Sequence, residues 1–249
     1  MGIKRILVSQ PKPDNEKSPY FDLAKRYGLE LDFFPFIKVE NVTVKEFRFN
    51  KIEILDHSAV IFTSKTAIDH FFRLCGELRV IIPDELKYFC TSESIAFYLQ
   101  KYIVYRKRKI FHGNKSMEDM TKILLKHKNE TYLLPLSDVH KENIPALLDK
   151  LHLTYTKFVL YRTVVADMKD VVKNIKDYDM LAFYTPMGIK SLKQNFPDFV
   201  QKETIIAAFG EATAEAVEKE GFRLDIAPSP QNPSMTMAIE AFIENRKNN

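Results

Sequence analysis

The stretch Leu181-Ala182-Phe183-Tyr184-Thr185-Pro186-Met187-Gly188-Ile189-Lys190-Ser191-Leu192 decides the fold class of this chain. An apolar run of strand length closes on Thr185, a proline follows at once, and an apolar spacing of helical period then begins. This predicts a buried strand feeding a helix, with Thr185 as cap and Pro186 at the first helical position, where its missing N–H costs nothing. The free N–H groups of such a helix start favour anions, so the turn is either a plain strand-to-helix connection or a seat for a carboxylate or phosphate. A second copy, Val60-Ile61-Phe62-Thr63-Ser64-Lys65-Thr66-Ala67-Ile68, lies about 120 residues earlier.

Working outward, the same alternation recurs. Lys4–Ser9, Glu30–Phe34, Tyr88–Cys90, Ile103–Tyr105, Tyr132–Ser137, Tyr155–Val165, Ile205–Phe209 and Leu224–Ala227 read as strands, and helical patterns separate most of them. The span Val42–Asp56 is polar, mixed and without recognisable chemistry. Helix starts are expected at Ser92, at Ser116 and at Ser234, and a further helix over Lys141–Leu151. Alternating strands and helices argue for parallel sheets covered on both faces.

Laying the chain on itself extends the repeat. Phe89-Cys90-Thr91-Ser92-Glu93-Ser94 matches Ala208-Phe209-Gly210-Glu211-Ala212-Thr213, and Asn114-Lys115-Ser116-Met117 matches Asn232-Pro233-Ser234-Met235. The pieces of one unit lie at the two ends of the chain and those of the other lie in the middle. The expected organisation is a discontinuous domain of residues 1–34 plus 167–249, an inserted domain of 42–160, and linker strands 35–41 and 161–166 pairing as a tether. In doubly wound sheets ligands sit outside the carboxyl ends of the strands. Two such domains facing each other would make one cleft lined by helix starts, backbone N–H groups and small hydroxyls.

Composition narrows the function classes. A chain of 249 residues with 45% hydrophobic and 28% charged residues is that of a soluble globular protein, and its longest apolar runs are too short to cross a membrane. Strand pattern begins directly after Met1 with no signal-peptide pattern, and Cys75 and Cys90 lack metal spacing, so reduced core cysteines in a cytoplasmic protein are expected. A net charge of +4 is too weak to imply nucleic acid. Arg106-Lys107-Arg108-Lys109 reads as a basic patch or as a solvated sheet edge. Seven scattered glycines supply no phosphate-binding or dinucleotide loop, and six histidines show no metal-ligand pair. No nucleophile elbow, appended helix-turn-helix or receiver-type aspartate cluster is present.

The paired turns Phe62-Thr63-Ser64 and Phe183-Tyr184-Thr185-Pro186, the stretch Val159-Leu160-Tyr161-Arg162-Thr163, and Ala208-Phe209-Gly210-Glu211-Ala212-Thr213-Ala214 together resemble the uroporphyrinogen-III synthase family. The resemblance runs over nearly the whole chain. It implies an α/β fold of two similar doubly wound parallel-sheet (flavodoxin-like) domains joined by a two-stranded β-ladder, one domain being discontinuous. It also implies a cofactor-independent, metal-free hydro-lyase of tetrapyrrole biosynthesis. Linear hydroxymethylbilane, rich in carboxylates, loses its hydroxyl as water and closes with ring D inverted. Tyr161 is the catalytic candidate that the resemblance marks, a phenol able to donate a hydrogen bond to the departing oxygen or else a hinge-packing aromatic. Ser64, Lys65, Ser92, Thr185, Met187, Gly210, Thr213 and Ser234 are the substrate-binding candidates. The pattern departs from the family at Lys65, Met187, Thr91 and the Pro135-Leu136-Ser137-Asp138 turn, where Lys141 could supply the missing charge. A monomer is expected, with transient contact with the upstream bilane-forming enzyme. The alternative is a non-catalytic two-domain clamp or regulator that binds an acidic ligand on the same scaffold.

Overall fold

The computed structural model describes residues 2–113, 118–140, 142–169 and 172–248. In chain order the elements are β1 (Arg5–Val8), α1 (Pro19–Tyr27), β2 (Glu30–Phe33), β3 (Ile37–Asn41), α2 (Val44–Phe49), β4 (Ala59–Phe62), α3 (Lys65–Leu78), β5 (Lys87–Cys90) and α4 (Glu93–Tyr98). They continue as β6 (Ile110–His112), α5 (Thr121–Lys126), β7 (Thr131–Ser137), α6 (Asn143–Lys150), β8 (Thr154–Val165), β9 (Met180–Phe183), α7 (Pro186–Asn195), β10 (Ile205–Ala208), α8 (Glu211–Lys219) and α9 (Met235–Asn248). The chain divides into two compact units, Met1–Lys38 with Val164–Asn249, and Val39–Thr163.

The first unit is built on a parallel sheet in the order β10-β9-β1-β2. Side chains alternate across it as strand geometry requires. Ile6, Val8, Met180, Ala182, Ile205 and Ala207 pack on one face with Leu23 and Ile239. Leu7, Leu181, Phe183, Ile206 and Ala208 pack on the other with Ile189, Leu192 and Val217. Both faces are covered, so these strands read as continuous apolar runs.

The second sheet runs β3-β8-β7-β4-β5-β6, with parallel pairing from β8 through β6. One face buries Val60, Phe62 and Leu133 against Ile68, Phe71 and Leu74 of α3. The other buries Ile61, Phe89, Tyr132 and Leu134 against Leu124 and Leu148. The strands β3 and β8, along which the chain crosses between units, are neighbours in this sheet. Val42 N–H donates to the Leu160 carbonyl and Ala166 N–H to the Phe36 carbonyl, so their pairing runs antiparallel.

Two expectations need correction, and one span left without an assignment gains an element. Ile103–Tyr105 is not a strand: Val104 is 76% exposed, and the strand beside β5 is Ile110–His112, which follows the Arg106–Lys109 turn. An apolar β-branched run without a partner strand has nothing to satisfy its backbone. Leu224–Ala227 is reduced to one bridge, Ala207 to Ile226. Val42–Asp56 carries a helix, because Thr43 and Glu46 form a reciprocal capping box. The expected cap at Ser116 and the charge of Lys141 lie outside the described residues. Cys75 and Cys90 are buried and free.

Candidate functional site

Each unit places its Ser/Thr turns at the carboxyl ends of its strands. In the second unit Ser64 stands between β4 and α3 with extended backbone, and its Oγ accepts the Ala67 N–H at 3.0 Å. That bond satisfies one of the donors a helix start leaves open. The same oxygen lies 3.2 Å from the Tyr161 hydroxyl. Tyr161 follows a register irregularity in β8: Leu136 is opposite Val159, but Ser137 is opposite Tyr161. The additional residue, Leu160, is fully buried, and such a bulge re-aims the side chain beside it.

The His70 imidazole of α3 stacks on the Tyr161 ring, with centroids 4.7 Å apart and planes 18° from parallel. Its Nδ1 is buried without a hydrogen-bond partner among the described residues. Burial, and next the Arg73 guanidinium, hold the imidazole pKa below the ordinary histidine value despite the opposing pull of Asp69. The ring beside Tyr161 is therefore neutral at pH 7.

A carboxylate fixes the same helix from another side. Asp69 accepts from the Tyr98 hydroxyl at 2.9 Å, the Tyr102 hydroxyl at 2.5 Å and the Lys101 ammonium at 2.8 Å. Burial alone would raise the Asp69 pKa, but these donors outweigh it and the net shift is downward. Lys65 is exposed, with its ammonium 5.5 Å from the centre of the Tyr98 ring. Ser92 begins α4 without a side-chain cap bond, its Oγ instead 3.2 Å from that of Ser94.

In the first unit Thr185 repeats the Ser64 arrangement. Its Oγ1 accepts the Gly188 N–H at 3.1 Å, Pro186 opens α7, and Met187 is half-buried in the first turn. Gly188 permits a close approach, since a Cβ there would lie 3.2 Å from Phe183 Cδ1 and 3.5 Å from Thr185 Oγ1. The next turn begins where Phe209 N–H donates to the Phe183 carbonyl. Gly210 there has φ +84° and ψ 150°, a conformation that only glycine adopts without strain. Ser234 Oγ accepts the Met237 N–H at 3.2 Å at the start of α9.

Thr213, in the first turn of α8, is 2% exposed, whereas Gly210 at the start of the same turn is exposed. Thus Ser64 and Tyr161 are bonded, Lys65 and Ser92 border them on the same or the adjacent turn, and Thr185 and Met187 share one helix start. Sequence reasoning missed His70, which carries no local motif. It also missed an aromatic group beside Thr185, in which the Tyr184 and Tyr20 hydroxyls bond and the Tyr184 ring stacks on exposed Phe209 at 5.6 Å.

Among the described residues no three histidine, cysteine, aspartate or glutamate side chains gather into a metal-binding group, and no helix is long and apolar enough to cross a membrane. The family model for uroporphyrinogen-III synthase HemD matches residues 18–237. The uroporphyrinogen-III synthase of Chlorobaculum parvum is 26% identical over 95% of this chain and 98% of its own length. Among solved structures, uroporphyrinogen-III synthetase from Helicobacter pylori superposes with a TM-score of 0.60 at 14% identity, covering 98% of this chain and 100% of that one. A mutant uroporphyrinogen III synthase from the extremely thermophilic bacterium Thermus thermophilus gives 0.50 at 14% identity, covering 99% and 100%. At these identities the two structures speak for the fold alone, whereas the family model covers most of the sequence: this chain belongs to the uroporphyrinogen-III synthase family.

Proposed function

We propose that the chain performs its family's cyclising hydro-lyase step on hydroxymethylbilane, with Tyr161 assisting departure of the hydroxyl. The observation that carries this reading is the Ser64–Tyr161 hydrogen bond. Ser64 Oγ already accepts the Ala67 N–H, which leaves its own hydrogen free for the phenol oxygen. The Tyr161 hydrogen is then available to a leaving oxygen. As the substrate C–O bond breaks, oxygen departs with the bonding pair, takes up a proton and leaves as water. The electrophilic carbon that remains is attacked by the substituted position of ring D. The bond from that position to its bridge carbon breaks and re-forms at the free α position of the ring, and the proton lost there replaces the one the phenol gave up. Loss of hydroxide makes that carbon intrinsically reactive, so the protein's main contribution is orientation.

The substrate's carboxylates are taken up by the helix starts at Ser64, Thr185 and Ser234 and by the Gly210 turn, through hydroxyls and backbone N–H groups. Lys65, Ser92 and Met187 border these turns and complete the reading. The two buried thiols, both pushed up to about 12 by desolvation, suit a reducing cytoplasm, and transient contact with the upstream enzyme would shorten the life of free bilane.

Enzymatically made hydroxymethylbilane, followed by oxidation and separation of the uroporphyrin isomers, tests the reading. Excess type III isomer over the type I formed spontaneously is expected, and type I alone refutes it. Tyr161→Phe should lower kcat more than it raises KM, whereas equal loss in both returns Tyr161 to packing.

A further inference from the structure

We infer that His70 is a positioning residue for Tyr161, its flat ring setting the plane of the phenol while Ser64 sets the position of the hydroxyl. The inference rests on the proposed role of Tyr161 and adds a residue that lies in none of the Ser/Thr or Gly turns.

One hydrogen bond leaves a phenol free to pivot about its oxygen. Tyr161 sits immediately after the β8 bulge, so regular strand alternation does not fix its direction. The second constraint is the imidazole at 4.7 Å and 18°. Both constraints come from α3 and its cap, since Ser64 precedes the helix and His70 lies within it. That helix is itself held through Asp69 by Tyr98, Lys101 and Tyr102.

The chemistry of the site also singles out this ring. A buried polar atom is normally hydrogen-bonded, yet His70 Nδ1 has no partner among the described residues. A buried nitrogen left unpaired costs stability, and the contact recorded for this ring is the flat face turned to Tyr161. Burial and Arg73 keep the ring uncharged, which preserves stacking at neutral pH.

Three variants in the full-length chain test the inference. His70→Leu keeps the bulk and loses the plane, and it should lower kcat about tenfold with KM changed by less than about twofold. His70→Phe keeps the plane and removes the orphaned nitrogen, and it should retain kcat within about twofold of the parent. In a Tyr161→Phe background His70→Leu should cost almost nothing more, because there is no hydroxyl left to aim. Full activity in His70→Leu, equal loss in both backgrounds, or His70→Phe as impaired as His70→Leu would each overturn the inference. A second readout is independent of turnover. With tyrosine labelled at the ring carbon bearing the hydroxyl, the Tyr161 resonance should move or broaden in His70→Leu and hold in His70→Phe. An unmoved resonance in His70→Leu overturns the positioning role even if the parent protein forms no type III isomer, which separates this failure from failure of the proposed reaction.

Discussion

Replacing Asn195 by alanine should loosen the return of the chain from β8 into the first unit. Asn195 is 8% exposed at the end of α7. Its Oδ1 accepts the Met168 N–H at 2.9 Å, and its Nδ2 faces the Ala166 carbonyl at 2.9 Å and the Ser191 carbonyl and hydroxyl at 3.0 and 3.1 Å. The amide orientation is forced, since a backbone donor must meet the oxygen and the carbonyls must meet the nitrogen. Alanine leaves the Met168 N–H unpaired beside a side chain only 2% exposed, at a cost of about 2 kcal/mol. The Ala166 carbonyl belongs to a half-exposed residue that water can reach, so its loss adds only about 1 kcal/mol. The sum, about 3 kcal/mol, corresponds to roughly a hundredfold faster amide exchange at Met168, read by hydrogen–deuterium exchange on a peptide spanning the position. Exchange within about threefold of the parent would show that water or a backbone shift replaces Asn195, and the assigned network would be wrong.

The remaining perturbations address the turns and the pH response. Ser64→Ala should cost about 2 kcal/mol, one part for the helix cap and one for the Tyr161 bond, and Thr185→Ala only about 1 kcal/mol; urea melts followed at peptides from each unit compare them, and equal costs would count against the Tyr161 bond. Gly188→Ala gains about 1 kcal/mol of helix propensity but drives a methyl into Phe183, which is fully buried and edge-packed on Phe36, so net destabilisation of about 1 kcal/mol is expected in the same melts. Acid should weaken the fold in two stages. Burial lowers the pKa of His70 and His127, so the folded state binds fewer protons than the unfolded one; the stability they give is complete above pH 6.5 and is lost as pH falls below it. Glu46 is lowered to about 2, first by the Thr43 backbone N–H and then by Arg162, so its contribution is present above pH 4.5 and is lost as pH falls towards 2. Thermal melts across this range should flatten in the upper stage for His70→Phe and in the lower stage for Glu46→Gln.

What the sequence discloses follows the range of the interactions concerned. The β4–α3 and β9–α7 junctions are legible because strand, cap and helix start lie within a few residues, and Thr185-Pro186 names its own position. The capping box Thr43-Val44-Lys45-Glu46 is equally local, but the polar composition around it hides the helix. Ile103–Tyr105 has the composition of a strand, and only the pairing of β5 with Ile110–His112 shows that another segment takes the place. The contact between His70 and Tyr161 joins residues far apart in sequence through the bulge in β8, so no motif can announce it.

The two units share a device and differ in what is attached to it, and that difference bears on the chemistry. Ser64 and Thr185 are equivalent caps on equivalent helix starts, and the proposed function gives both the task of holding carboxylates. At Thr185 the adjacent phenol, Tyr184, is bonded to the hydroxyl of Tyr20, and burial raises the pKa of both groups. That pair is fixed in its interior contacts and holds aromatic surface in place beside the turn. At Ser64 the phenol comes instead from β8, the strand that leads out of the unit, and its hydrogen-bond partner is the cap itself. On the reading proposed here, binding is the duplicated function and proton donation the unduplicated one. Moving the phenol should therefore not move the function: Tyr184→Phe is expected to leave the isomer ratio and kcat intact while lowering stability by about 1 kcal/mol, and a selective loss of type III product in that variant would break the asymmetry between the turns.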